Sequence, residues 1–239
     1  MVAYDRDLKQ FIGACPNGQI QQRQCVSQER EEAQIVTDRF IQPFQRWEID
    51  LIGRLPKMIN GNRWTIVAVD YATGWPIAKA IPKATKEAIA EFIHDEIYLH
   101  YGAPQEIFTD GGKNLWGGIV EQYLKKIKTL HKGTSPYHPH TNGKVERLNG
   151  IIGNMLGKML LNKTTKLWDL YLDQAVFACR SRTHSTTKTS PFYLLYGRHP
   201  HLFVDSNIAL PTDSDAAPYE ECLERLQSAR KKAAITSHE

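Results

Sequence analysis

The stretch Trp47-Glu48-Ile49-Asp50-Leu51-Ile52-Gly53-Arg54-Leu55-Pro56 alternates apolar and acidic side chains through Leu51 and then runs into a turn. That two-residue period belongs to a strand, whose successive side chains point to opposite faces. It places Asp50 on a rigid element rather than in a loop. Working outward, Trp64 to Tyr71 reads as a second strand, with Gly61-Asn62 in the turn between, and Pro76 to Ile81 as a third. Thr85 has N-cap chemistry, and Ala88, Ile89, Phe92, Ile93, Ile97 and Tyr98 share one helical face that Gly102 ends. Glu106 to Thr109 predicts a fourth strand, Leu115 to Lys128 a helix, and Thr129 to Lys132 a short fifth strand. Strand, strand, strand, helix, strand, helix, strand, helix is an α/β order that several mixed folds share.

The next helix follows the turn-rich run Ser135-Pro136-Tyr137-His138-Pro139-His140-Thr141-Asn142-Gly143. Val145, Leu148, Ile152, Met155 and Met159 recur at helical steps and predict its buried face. Glu146, Gly150, Gly153 and Gly157 make a second stripe. A helix-interior glycine costs about 1 kcal/mol relative to alanine, so three on one face point to a backbone passing close by. Either DNA or the sheet beneath fits that spacing. Further on, Leu167 to Cys179 reads as one amphipathic helix and Ser190 to Tyr196 as a short one. Residues 205–218 read as a linker, and 219–234 as a charged helix with Cys222, Leu223 and Leu226 on its apolar side.

Three acids stand out by context. Asp50 lies on the first strand, Asp110 ends the fourth at Phe108-Thr109-Asp110-Gly111-Gly112, and Glu146 opens the helix after the turn-rich run. Hard oxygen ligands on rigid elements are what a two-magnesium phosphoryl-transfer site uses. Each acid taken alone reads more readily as a solvated surface charge or a turn residue. Asp70 is a fourth acid at a strand end, and its position alone leaves a metal role open.

The surrounding motifs narrow the choice. Trp47 to Pro56, Phe108 to Gly112, and Ser135 through Gly143-Lys144-Val145-Glu146-Arg147 closely resemble the catalytic core of retroviral and retrotransposon integrases, with the gypsy-type long-terminal-repeat elements most similar in pattern. Thr189-Ser190-Pro191-Phe192-Tyr193-Leu194-Leu195-Tyr196-Gly197-Arg198 is similar as well, and the motifs follow the family's order from about residue 38 to residue 202. The resemblance implies a ribonuclease-H-like mixed five-stranded sheet flanked by helices, with helical N- and C-terminal extensions. It divides the chain into a degenerate zinc-module remnant and lead-in at 1–37, a catalytic core at 38–204, and a linker with a C-terminal helix at 205–239. It implies Asp50, Asp110 and Glu146 as catalytic metal ligands for two Mg2+ or Mn2+ ions. It also implies Tyr137, His140, Asn142, Lys144 and Arg147 as nucleic-acid contacts, His140 standing where the family commonly has Gln. The implied reaction is polynucleotidyl transfer: DNA 3′-end processing and strand transfer.

Zinc is not expected. Cys15-Pro16-Asn17-Gly18 looks like half of the family's zinc module with Gly18 replacing the second Cys, Cys25 lies too far along to restore the pair, and no histidine precedes His94. Tetrahedral zinc needs four good ligands. An integrase remnant that binds nucleic acid or self-associates is therefore a second reading, and a ribonuclease-H-like nuclease a third.

Composition bounds all three. The 239 residues, 41% hydrophobic, suffice for one core domain with appendages. The four cysteines are scattered, which fits a reducing compartment. No apolar run approaches membrane-spanning length and no basic-then-apolar leader opens the chain, so a soluble nuclear or cytoplasmic protein without membrane partners is expected. The net charge is only +4, but residues 121–200 hold thirteen Lys and Arg against four Asp and Glu. Such an excess suits DNA as partner, and RNA too, although a solvated helical surface would carry the same charge. A homodimer or higher oligomer is the expected assembly.

Overall fold

The computed structural model describes residues 42–110, 112, 115–133, 143–161, 164–202 and 219–236. The lead-in and zinc remnant, the 205–218 linker, and Tyr137, His140 and Asn142 lie outside the described residues.

Five strands form one sheet in the order β3-β2-β1-β4-β5: β1 Arg46–Gly53, β2 Trp64–Asp70, β3 Pro76–Ile81, β4 Glu106–Thr109 and β5 Leu130–Gly133. The first three pair antiparallel, whereas β1, β4 and β5 run parallel. The connections that return the chain to the parallel strands are helical, as parallel pairing requires. After β3, α1 runs over Lys86–Phe92, widens into a π-helical turn at Ile93–Tyr98 and ends in Leu99–Tyr101. Thr85 Oγ1 caps it by accepting from the Ala88 N–H, and Gly102 stops it at φ 83°. The helix α2 covers Gly118–Lys126. It starts three residues later than the sequence predicts, because Gly117 and Gly118 take φ of 76° and 61° and turn the chain before the helix begins.

Beyond β5 come α3 (Gly143–Met159), a 3-10 segment (Thr165–Tyr171), α4 (Leu172–Ser181), α5 (Pro191–Tyr196) and α6 (Tyr219–Thr236). The single helix expected from Leu167 to Cys179 is in fact two pieces. Trp168 turns inward and donates its indole N–H to the Pro56 carbonyl at 3.0 Å, which holds the tighter 3-10 path ahead of α4. The apolar side assigned to α6 also needs correction. Cys222 and Leu223 are exposed, and the contacts to the domain come from residues further along the helix. Leu226 packs by Gly197, Ala233 is buried, and Arg230 donates to the Leu194 and Leu195 carbonyls at 2.7 and 3.0 Å. Among the described residues no helix is long and apolar enough to cross a membrane.

The sheet is covered on both faces. Trp47, Ile49, Ile66, Ala68 and Ile107 pack under α1 and α2, while Val67 and Val69 pack under α3 and α4. The stripe predicted for α1 holds at Ile89, Phe92, Ile93 and Ile97, but Tyr98 lies at the surface. For α3 it holds at Val145, Leu148 and Ile152; Leu156 is the fourth buried residue, with Met155 and Met159 only partly covered. On the opposite side of α3, a Cβ built at Gly143, Gly150 or Gly153 meets nothing within 4 Å. The sheet therefore does not explain these glycines. Gly150→Ala and Gly153→Ala are expected to stabilise the fold by about 1 kcal/mol each through helix propensity alone. Urea unfolding checks this, and a lower midpoint in either variant would mean that the open space is filled in solution.

Candidate active site

The parallel register pairs Ile49 with Thr109, so the next residues, Asp50 and Asp110, sit side by side at the carboxyl end of the sheet. Alternation sends Trp47 and Ile49 to the α1 face and Glu48 and Asp50 to the α3 face. There Glu48, 1% exposed, accepts the Val145 N–H at 3.2 Å. A buried carboxylate against the free N–H groups of a helix start is favourable, and it pins the first turn of α3. That turn carries Glu146, which is exposed.

Asp50 is held by two hydrogen bonds. Its Oδ1 accepts the Leu51 N–H at 2.7 Å, and its Oδ2 accepts from Asn149 Nδ2 at 2.7 Å. Asp110 Oδ1 accepts the Gly112 N–H at 3.1 Å. Burial raises the Asp50 pKa above the usual carboxylate value, and the charges of Asp110 and Glu146 push it further against the lowering effect of the two hydrogen bonds. The structure thus brings the three acids within electrostatic reach of one another. None forms an ion pair with a described residue. No three His, Cys, Asp or Glu side chains among the described residues are placed to grip one ion together. The two aspartates instead accept hydrogen bonds from the Leu51 N–H, Asn149 and the Gly112 N–H. As a donor set, three uncompensated carboxylates fit hard divalent cations.

Asn149 escaped the sequence reading. It stands three residues after Glu146, so helical spacing brings it to the same face, and its own Oδ1 is buried without a partner. Glu48 was missed too, although its alternation with Asp50 was visible. Lys144 has its ammonium on the Tyr71 carbonyl at 2.8 Å and 3.6 Å from the centre of the Tyr71 ring. Arg147 is exposed. With Arg182 and Lys144 it disfavours protonation of His184, whose pKa burial lowers first, so positive charge gathers between α3 and the end of α4. Asp70 is fully buried and accepts from Phe44 N, Thr73 N and Thr73 Oγ1, hydrogen bonds that tie it to the backbone around it.

A five-stranded sheet in this order, flanked by helices and with one acid within β1, one just past β4 and one in the first turn of α3, has the ribonuclease-H-like architecture of an integrase catalytic core. The chain is 30% identical over 210 residues to the Gag-Pol polyprotein of feline leukemia virus, a match covering 81% of this chain and 12% of the polyprotein. It is 29% identical over 192 residues to the Pol polyprotein of radiation murine leukemia virus (strain Kaplan), covering 80% and 32%. It therefore spans under a third of the length of these relatives. Among solved structures it is similar to the simian T-cell lymphotropic virus intasome in complex with PP2A regulatory subunit B56 gamma. The TM-score is 0.60 at 21% identity, over 80% of this chain and 65% of that one. It is also similar to the catalytic core domain of BIV integrase, with a TM-score of 0.50 at 20% identity over 63% and 93%. No protein-family model matches the chain. Sequence relatives and fold together support an integrase catalytic core, the resemblance read from the motifs.

Proposed function

We propose that this chain is the core of an integrase-type polynucleotidyl transferase that processes the 3′ ends of an element's DNA and joins them to a target. The observation that carries the reading is Asp50 beside Asp110 on parallel strands, with the Glu146 charge felt at Asp50. Asp50, Asp110 and Glu146 would hold two magnesium or manganese ions. When bound, such ions activate a water or 3′-hydroxyl for in-line attack and stabilise the leaving oxygen. The protein's own part is orientation. Asn149 holds the Asp50 carboxylate, and Glu48 fixes the helix start that presents Glu146. Lys144 and Arg147, together with Tyr137, His140 and Asn142, are the proposed DNA contacts. A homo-oligomer acting on DNA in the nucleus completes the reading.

A branched DNA that mimics the joined product tests it. With manganese the chain is expected to reverse the joining, and Glu146→Gln to abolish that reaction while DNA binding persists. The substitution removes one anionic ligand and leaves the shape and the basic surface alone. Binding by both proteins is expected to fall steeply with added salt, as counterion release from phosphate contacts requires. A folded wild type that binds metal and DNA yet leaves the branched substrate intact favours the remnant reading, to which the ligand-poor Cys15–Gly18 stretch already points. Cleavage of an RNA–DNA hybrid in preference to the branched DNA favours the nuclease reading.

A further inference from the structure

Trp116 has no part in that mechanism, yet it stands at the same end of the sheet as the acids. It follows the loop after Asp110 and immediately precedes the glycine turn into α2. Its indole lies over His131 of β5, with ring centroids 4.1 Å apart and planes 31° apart. His131 Nε2 is 3.0 Å from Thr109 Oγ1, and Thr109 is the residue before Asp110. Burial pushes the His131 pKa down. Gly133 makes room on a second side, since a Cβ there would stand 3.1 Å from the indole. A ring held so firmly is still 41% exposed. The exposed part of this braced ring offers a flat aromatic surface to a partner.

Lys86, the first residue of α1, lies across the glycine turn. Its Nζ is 3.8 Å from a Cβ built at Gly117 and 3.6 Å from one built at Gly118. The positive φ of both residues calls for glycine, and a side chain at Gly118 would also press on Lys86 Cδ at 3.2 Å. No described carboxylate pairs with Lys86. A braced aromatic face and, at the glycine turn that follows it, an ammonium with no described carboxylate partner match the two halves of a nucleotide, the flat base and the phosphate.

We propose that Trp116 and Lys86 form a subsite for one unpaired nucleotide of DNA, the indole stacking on the base and the ammonium taking its phosphate. The subsite rests on the integrase reading, which supplies DNA as the substrate class. It lies toward the same end of the sheet as the acids but on the α1–α2 face, so it holds a nucleotide splayed away from the duplex rather than one at the point of transfer. Stacking of this kind tolerates any base, because every base has a flat face.

Fluorescence anisotropy on the full chain compares a blunt duplex with the same duplex carrying a short single-stranded overhang. The wild type is expected to prefer the overhang. Trp116→Ala is expected to lose about tenfold in overhang affinity, the size of one base–aromatic stack, and to bind the blunt duplex unchanged. Trp116→Tyr should keep most of the preference. Trp116→Leu, which still covers His131 but offers no aromatic face, should lose it, so folding and stacking are separated. Lys86→Ala should reduce the salt dependence of overhang binding by about one phosphate contact. Full preference in Trp116→Leu overturns the proposal, as does a wild type that binds both DNAs equally. A folded wild type that binds neither DNA overturns the parent reading, and the subsite with it.

Discussion

Asp50→Asn is expected to abolish the reversal of joining on branched DNA and, at pH 7, to make the protein more stable. The first effect follows from charge. Asp50 is the acid that feels the charges of both others, and an amide leaves only a neutral oxygen for a divalent cation, so a loss of about a thousandfold is expected, comparable with removal of a main electrostatic contributor to catalysis. The second effect follows from linkage. Burial and the charges of Asp110 and Glu146 raise the folded-state pKa of Asp50 above its unfolded value. Folding therefore favours the protonated form. The stability this group contributes is fully present below the unfolded pKa and is lost as pH rises through the folded pKa, so at pH 7 the ionised carboxylate opposes folding. The amide removes that opposition. It can keep the Leu51 N–H bond through its oxygen, and its NH2 can donate to the Asn149 Oδ1 that now lacks a partner. The Tm difference between variant and wild type should be widest near neutrality and close as pH falls toward the ordinary carboxylate range. Added Mg2+ or Mn2+ should raise the wild-type Tm by mass action and leave the variant's almost unmoved. A variant that melts below the wild type at pH 7, or responds equally to metal, contradicts this account of the site.

Asp70→Ala is expected to be the most destabilising single change near the site, by about 3–5 kcal/mol. Three donors converge on this one carboxylate: Phe44 N–H at 2.8 Å, Thr73 N–H at 2.8 Å and Thr73 Oγ1–H at 2.5 Å. Each buried donor left without an acceptor costs about 1–3 kcal/mol. Phe44 also sits at φ 68°, a conformation that a bulky residue keeps only when its surroundings impose it. Its ring stacks on Trp47 and Tyr101, so freeing that backbone loosens the entry to β1 as well. Urea unfolding measures the loss. Metal titration separates this role from that of the acid triad: in Asp70→Ala, at a temperature where it remains folded, divalent-cation affinity should match the wild type. A loss of metal binding with little loss of stability would move Asp70 into the site.

Much of this protein was legible in one dimension because its strongest signals are local. The alternation from Trp47 to Leu51, the third strand at Pro76–Ile81, the fourth at Glu106–Thr109, the Thr85 cap and the Gly102 stop all appear where the residues place them. Periodicity, caps and glycine turns act within a few residues of themselves, so sequence alone determines them. The order of elements and the motif text around Asp50, Asp110 and Glu146 determined the class of fold and named the acids.

Only the tertiary structure decided what depends on distant residues. The break between the 3-10 segment and α4 is tied to Trp168 reaching the Pro56 carbonyl. The anchor of α6 is Arg230 on the end of α5, a contact that no helical stripe announces. The glycine face of α3 was open to two explanations until the space above Gly150 and Gly153 proved empty. At the site, Glu48 and Asn149 matter only because β1 and α3 meet, bringing together groups 97 and 99 residues apart. Trp116 becomes a platform only where β4, β5 and the turn into α2 converge. Propensity and pattern are properties of neighbours in the chain, whereas hydrogen bonds, charge repulsion and open faces are properties of neighbours in space.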